Sequence, residues 1–161
     1  MVNDFQPCDV IFVRSRRDPS LKDRVIGKLV KWATGSEYSH VAYFIRPGVT
    51  FEVNAFRRAG YGSINDYAEF DVKQLRFALK VRERILQQIQ RTKGSPYGWG
   101  EVVALLLRKK LGIPIYYDNP VTNECAEVLV KAVRAETGVW IVEQTTGDVS
   151  PQDLWESPWL K

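Results

Sequence analysis

The residues of this chain that could carry nucleophilic chemistry are one histidine and two cysteines. His40 lies in the segment SHVAYFI, residues 39–45, whose β-branched and aromatic residues predict a strand. Cys125 lies in NECAEVLV, residues 123–130, where the apolar spacing after the cysteine predicts a helix that begins near it. The N-terminus of a helix stabilises a thiolate, and a nearby imidazole can accept the thiol proton. If His40 and Cys125 meet, the pattern predicts a thiol nucleophile.

His40 and Cys125 also have an ordinary structural interpretation, and the position of the Glu52 carboxylate helps to decide between a structural and a chemical role. A free cysteine is often a small core residue, and a histidine at a strand end can be hydrogen-bonded and inert. Glu52 lies between Phe51 and Val53 on the next predicted strand, where burial without a partner is costly. His40 on the neighbouring strand would be such a partner; otherwise Glu52 faces solvent.

The turn between these two strands decides whether His40 and Glu52 share a face of the sheet. Directly opposite residues of an antiparallel pair lie on the same face. A regular two-residue turn at Pro47–Gly48 would place Glu52 opposite Tyr43, on the face away from His40. A common site therefore requires an odd loop or a bulge, for which Gly48 is the natural position.

The remaining segments mix strands and helices without regular βαβ alternation, which predicts the α+β class. Residues 57–70 combine glycine with polar residues and predict irregular structure, and a loop with Pro114 and Pro120 precedes Cys125. In the first helix Ser20 is the expected N-cap and Gly35 the expected C′ residue. One apolar stripe runs along that helix, formed by Leu21, Val25, Ile26, Leu29, Val30 and Ala33. Strands are predicted at 9–13, 39–45, 50–55, 75–79 and 139–142, and helices at 20–34, 81–94, 100–111 and from about 125.

Length and composition predict a single globular domain over residues 1–161. No apolar run approaches the roughly 20 residues of a membrane span, and the first residues lack the pattern of a secretory signal. Synthesis in the cytoplasm is therefore expected. Cys8 and Cys125 do not make a disulfide framework, and no close cysteine and histidine cluster suggests zinc.

The net charge is +4 and the pI is about 9.1, so the chain is moderately basic. The basic residues group loosely at 14–17, 57–58 and 108–110. This pattern admits an anionic partner, which could be nucleic acid, anionic lipid or a cell-wall polymer, or simply a solvated basic surface. No nucleic-acid-binding motif accompanies the charge, so nucleic acid is not predicted.

Taken together, the motifs resemble the circularly permuted NlpC-type cysteine hydrolases, the YaeF/YiiX-like group related to the lecithin:retinol acyltransferase family. In ordinary papain-like enzymes the cysteine precedes the histidine, whereas the permuted group has the histidine first, as here. The resemblance covers about residues 7 to 158 and implies a permuted papain-like fold with an antiparallel sheet packed against helices. The motifs are Asp9–Phe12, Tyr38–Tyr43, Phe51–Ala55, Tyr97, Glu124–Glu127 and the C-terminal segment Thr146–Leu154.

The resemblance also implies roles for individual residues. Cys125 matches the nucleophile, His40 the base, Glu52 the residue that orients the base, and Tyr97 an aromatic residue near the substrate pocket. An ordinary core tyrosine is an equally good interpretation of Tyr97. Relatives commonly have glycine at the position of Cys8 and serine after the nucleophile, where this chain has alanine.

The implied chemistry is hydrolysis through a thioacyl enzyme, with no metal or organic cofactor required. The expected substrate is a peptide-like amide such as a peptide of peptidoglycan, which would require delivery to the cell wall, for example in a phage particle. One alternative is hydrolysis or transfer of a lipid acyl group. Another is a papain-like structural module without catalysis, within a larger assembly.

Overall fold

The computed structural model describes residues 5–54, 58–113, 124–143 and 149–161. The predicted loop with Pro114 and Pro120 lies outside these residues, as does most of the segment before Cys125. The described residues form an α+β structure, as predicted. Its strands are β1 (Val10–Arg16), β2 (His40–Arg46), β3 (Val49–Glu52), β4 (Gly60–Ser63) and β5 (Tyr67–Lys73); its helices are α1 (Leu21–Thr34), α2 (Leu79–Gln90), α3 (Trp99–Leu111), α4 (Glu127–Thr137) and α5 (Pro151–Trp155), with a 3₁₀ turn at Ile64–Asp66.

The five strands form one antiparallel sheet in the order β4-β3-β2-β1-β5. One face carries Phe12, Tyr43 and Phe51 and packs in the main core with the apolar residues of α2 and α4. The other face carries a smaller cluster that includes Ala42 and Tyr67. The central strand β2 therefore contributes side chains to both clusters, since successive residues of a strand alternate between faces.

The hairpin of β2 and β3 contains the bulge that a shared site requires. Arg46 pairs with Val49, but the next pair is Phe44 with Thr50, so Ile45 is the extra residue. Glu52 is consequently opposite Ala42 and lies on the same face as His40. The predicted need for an irregularity is confirmed, although the bulge is in β2 and Gly48 instead supplies the turn with its φ of 79°.

Helix α1 confirms the predicted ends but not a single buried stripe. Ser20 forms a capping box with Asp23, and Gly35 ends the helix in the left-handed conformation. The predicted apolar stripe is divided, because Ile26 and Val30 are half-buried whereas Leu21, Val25 and Leu29 are exposed.

Three predictions of local structure were wrong. Residues 57–70 were expected to be irregular, yet the described part from residue 58 holds β4 and most of β5. These strands form the two edges of the described sheet, where one face meets solvent, so their composition is too polar and glycine-rich to indicate a strand. Residues 75–79 form no strand, because only a short ladder joins 74–76 to the end of the chain. Residues 139–142 form no strand: 139 and 140 are irregular and a bend begins at 141, with the side chains of Ile141 and Val142 buried in the core.

Candidate active site

The structure brings the predicted residues His40, Glu52 and Cys125 together. His40 is the first residue of β2 and Glu52 the last residue of β3. The Nε2 atom of His40 lies 3.0 Å from Oε2 of Glu52. The same imidazole is hydrogen-bonded to the side chain of Cys125. The three side chains therefore form a continuous chain from thiol to imidazole to carboxylate.

Cys125 lies in the first helical turn that leads into α4. The carbonyl of Glu124 accepts a hydrogen bond from the N–H of Val128 at 3.2 Å, so helical bonding already encloses the cysteine. Burial opposes the charged form of the thiol, but the hydrogen bond and charge of His40 favour it, together with the backbone N–H groups of Val41 and Ala126. The net effect is a lowered pKa of Cys125, as a nucleophile at a helix N-terminus requires.

His40 shows the complementary shift. Burial disfavours the imidazolium, but hydrogen bonds and charge at Cys125 and Glu52 outweigh burial and raise the pKa of His40 to about 9. A lowered thiol pKa beside a raised imidazole pKa favours the thiolate–imidazolium pair at neutral pH.

The carboxylate of Glu52 is buried but fully engaged at Oε2. Besides His40, it accepts hydrogen bonds from Nη2 of Arg16 at 2.6 Å and from the hydroxyl of Tyr67 at 2.9 Å. Burial raises the pKa of Glu52, but His40, Arg16 and Tyr67 together hold it well below its usual range. Arg16 and Tyr67 were not predicted, since the basic run 14–17 was interpreted as surface charge and 57–70 as irregular.

Gly62 on β4 leaves the space that the carboxylate occupies. A Cβ atom at Gly62 would lie 2.9 Å from Oε1 of Glu52 and 3.1 Å from Oγ1 of Thr50. Contacts under 3.0 Å force a displacement, so a larger residue at this position would move Glu52. The sequence signal was a glycine in a polar segment, which alone does not indicate a site.

Tyr43 reaches Cys125 from the opposite face of β2. Its hydroxyl donates to the carbonyl of Cys125 and accepts from the backbone N–H of Leu129. In a regular helix that N–H would bond directly to the carbonyl of Cys125, four residues earlier. The tyrosine hydroxyl thus bridges the first turn and fixes the main chain of the cysteine. The sequence predicts Tyr43 on the face away from His40, and no sequence motif indicates its bond to the main chain of Cys125.

A cleft of about 220 Å³ lies beside the imidazole of His40. His40 and the predicted pocket residue Tyr97 both line it, whereas Cys125, with 7% of its surface exposed, does not. The cleft therefore borders the imidazole of His40, to which the buried thiol is hydrogen-bonded. Five basic residues line the cleft against one acidic residue: Arg14, Arg16, Arg24, Lys28 and Lys31, with Asp23.

One solved structure places this architecture among known folds. The chain is similar to the crystal structure of YiiX from Escherichia coli O157:H7, described as a metalloprotein of DUF1105, with a TM-score of 0.69 and 18% identity. The match covers 97% of this chain and 94% of YiiX. No protein-family model matches the sequence, and no curated protein matches it significantly. The likeness to YiiX therefore shows a shared fold over nearly the whole of both chains.

Proposed function

We propose that this protein is a cysteine hydrolase of the permuted papain-like type, in which Cys125 attacks a carbonyl carbon. The observation that carries this proposal is the hydrogen-bonded chain of Cys125, His40 and Glu52, with the thiol pKa lowered and the imidazole pKa raised. Buried groups whose pKa values move in opposite directions are typical of acid–base pairs in active sites. The fold shared with YiiX is consistent with the proposal.

The proposed reaction follows from the roles of these groups. The thiolate of Cys125 attacks the carbonyl carbon, and the resulting oxyanion is stabilised by the backbone N–H of Cys125 at the helix start. The imidazolium of His40 gives its proton to the leaving amine or alkoxide, which leaves a thioacyl enzyme. His40 then takes a proton from water as its oxygen attacks the thioester carbon; the C–S bond breaks, the acid product leaves, and the thiolate–imidazolium pair is restored. Glu52 holds the ring and stabilises its charged form.

The proposed substrate is a peptide-like amide that carries carboxylates, such as a peptidoglycan peptide. The excess of cationic side chains around the cleft suits an anionic substrate. A lipid acyl ester is the second candidate, because α1, which lines the cleft, also exposes large apolar residues. A papain-like module without catalysis is the third interpretation.

A metal is not needed for this chemistry, although YiiX is described as a metalloprotein. Within residues 5–54, 58–113, 124–143 and 149–161, no group of three or more histidine, cysteine, aspartate or glutamate side chains is arranged to hold a metal ion. Oε2 of Glu52 is also paired with the guanidinium of Arg16, a cation that competes with any metal for the carboxylate. The described residues therefore do not fit a metal centre.

The test is turnover by wild-type protein and by Cys125→Ala. Each is incubated with purified muropeptides and, separately, with phospholipid, and products are identified by mass spectrometry. Wild type is expected to release a product and to show an acyl adduct on Cys125 in the intact-mass spectrum. Cys8→Gly, which removes the other thiol, should retain activity. Turnover that survives in Cys125→Ala contradicts the proposal.

A further inference from the structure

Helix α1 exposes a row of large apolar residues. The exposed fractions are 77% for Leu21, 58% for Val25, 39% for Leu29 and 61% for Trp32. Their spacing places them along one line of the helix, which we call the apolar row. Gly27 lies on the opposite side, where a Cβ atom would be 3.4 Å from Cβ of Ser39. The apolar row therefore points away from the sheet. Single exposed apolar residues are ordinary, but a continuous row marks a contact surface.

Basic residues lie on both sides of the apolar row. At 100° per residue, Lys22 falls on one side of it and Arg24 and Lys28 on the other. Lys31, a fourth basic residue, follows on the Arg24 side and donates a hydrogen bond to the carbonyl of Arg14. The single acidic residue of α1, Asp23, is occupied in the capping box. The helix is thus a short amphipathic segment with a cationic border.

Helix α3 packs against α1 and also exposes apolar and basic side chains. The ammonium group of Lys110 lies 4.9 Å from the centre of the Trp32 ring. Val103 and Leu111 on α3 are 50% and 66% exposed. A tryptophan with a lysine over its ring, at the edge of an apolar surface, is suited to the boundary between water and acyl chains.

We propose that the apolar row of α1 docks on an anionic lipid membrane. The apolar side chains enter the boundary between headgroups and acyl chains, and the lysine and arginine side chains contact the lipid phosphates. Charge complementarity selects this occupant over a second copy of the chain, because a symmetric dimer through α1 would bring the same cations against each other. Such docking is peripheral, and none of the described helices is long and apolar enough to cross a membrane.

Docking through α1 has a consequence for the cleft. Arg24, Lys28 and Lys31 lie on the border of the apolar row and, like His40, also line the cleft. A docked helix therefore places the mouth of the cleft at the membrane surface. The inference does not rest on the proposed chemistry, since binding requires neither the thiol nor the imidazole.

The experiment measures co-sedimentation with vesicles. One set contains phosphatidylcholine mixed with phosphatidylglycerol, and the other contains phosphatidylcholine alone. The wild-type chain is expected to bind the anionic set, more weakly as salt is raised. Val25→Asp and Leu29→Asp should each weaken binding about tenfold or more, since each puts a charge where an apolar side chain is buried. The matched control is Leu79→Asp, at a residue of α2 that is 47% exposed and lies outside this surface.

Circular dichroism and thermal unfolding establish that the variants fold, which exposed positions favour. The proposal is overturned if wild type ignores the anionic vesicles, if it binds both sets equally, or if Val25→Asp binds as wild type does. It is also overturned if size-exclusion chromatography shows a dimer that Val25→Asp dissociates while vesicles are not bound. Cys125→Ala should bind as wild type does, so a failure of docking and a failure of catalysis are distinguishable.

Discussion

The two cysteines of this chain are both buried, yet their thiols have opposite chemical character. Cys8 is fully buried, and burial raises the pKa of its thiol to about 12. Burial acts on Cys125 as well, but His40 and two backbone N–H groups reverse its effect and lower the pKa. The comparison shows that burial alone raises the pKa of a thiol, and that directed hydrogen-bond donors and an adjacent imidazole can lower the pKa of a thiol that is also buried.

The backbone conformation and hydrogen bonds at the two cysteines also differ. Cys8 has a φ of 65° and is the only non-glycine residue with positive φ in the described parts of the chain. Its N–H donates to the carbonyl of Phe44 at 2.9 Å, which fixes this turn next to β1. Glycine adopts such a conformation without strain, whereas a residue with a side chain rarely does. Cys8 thus occupies an unusual backbone position in a turn, whereas Cys125 lies where backbone N–H groups converge on its sulfur.

The largest expected difference is in alkylation. At pH 7 iodoacetamide should modify Cys125 about 10³-fold faster than Cys8, or more, because a thiol pKa of about 12 leaves only about 10⁻⁵ of Cys8 as thiolate. Peptide mapping by mass spectrometry over time gives both rates in one sample. Cys8→Gly should leave the rate at Cys125 unchanged. Equal rates, or protection of Cys125, would remove the thiolate from the proposed mechanism.

Replacing His40 should make Cys125 resemble Cys8. In His40→Ala the thiol loses its proton acceptor and the adjacent positive charge, so its pKa rises and alkylation at pH 7 slows. Turnover should fall by about 10²–10⁴-fold, the usual contribution of general acid–base catalysis. The measurements are steady-state kinetics and the pH dependence of alkylation.

Added imidazole is the control for His40→Ala, because it can replace the missing base without restoring the side chain. Partial rescue of turnover separates lost chemistry from lost structure. Near wild-type turnover in His40→Ala would instead favour the interpretation of the chain as a papain-like module without catalysis.

The residues that form the chemical chain could be predicted because their signals are local. A histidine on a strand, a cysteine at a helix start and a carboxylate between apolar residues are each visible within a short segment. Even the required bulge followed from the two-residue period of a strand, since a regular turn would have separated His40 from Glu52. Its position at Ile45 did not follow, because a bulge depends on packing against neighbouring strands and not on the turn residue alone.

The residues that support Glu52 could not be predicted, because they depend on pairing between distant segments. Arg16 and Tyr67 meet only because β5 pairs with β1, and Gly62 meets Glu52 only because β4 pairs with β3. Both β4 and β5 are edge strands whose polar composition concealed them. Which residues of the apolar stripe on α1 are exposed could not be predicted either. Periodicity identifies an apolar face of a helix but does not show whether other parts of the protein cover it.

Glu52→Gln should make the charged form of His40 less stable while leaving the imidazole in place. The amide can still accept the imidazole N–H, but the anion is lost and the cation of Arg16 remains, so the pKa of His40 should fall from about 9. A fall of one unit in the pKa of His40 shifts the equilibrium from the thiolate–imidazolium pair toward the neutral thiol and imidazole by about tenfold. Turnover should decrease by about the same factor. In wild type the pair is lost as pH rises through the pKa of His40, so in the variant this alkaline limit moves to lower pH.

Two further measurements establish the cause of that shift. The double variant Arg16→Gln with Glu52→Gln removes the unbalanced cation, so the pKa of His40 should rise part of the way back to its wild-type value.

The second measurement is the pH dependence of stability. In wild type the depressed pKa of Glu52 stabilises the fold at pH values above 4.5, the ordinary pKa of a glutamate, and this stabilisation is lost as pH falls below 4.5. Thermal unfolding of Glu52→Gln should lack this dependence. An unchanged pH profile of turnover would exclude Glu52 as the residue that orients the base.

The smallest expected effect concerns the main chain that holds the nucleophile. Burial and the nearby thiols raise the pKa of Tyr43 well above its ordinary value, so its hydroxyl stays protonated and donates to the carbonyl of Cys125. Tyr43→Phe removes this bridge, but the N–H of Leu129 can then bond directly to the same carbonyl, as in a regular helix. The free energy of unfolding should therefore fall by only about 1 kcal/mol.

The same variant should have a small effect on the thiol. Because the direct bond between the N–H of Leu129 and the carbonyl of Cys125 shifts Cys125 relative to His40, alkylation at Cys125 should slow by less than about tenfold. Tyr38→Phe is the matched control, since it removes a hydroxyl that bonds to Asp71 and Arg14 rather than to the main chain of Cys125. If both variants lower stability and leave the alkylation rate unchanged, Tyr43 is a structural residue and the position of Cys125 is set by His40 and the backbone N–H groups alone.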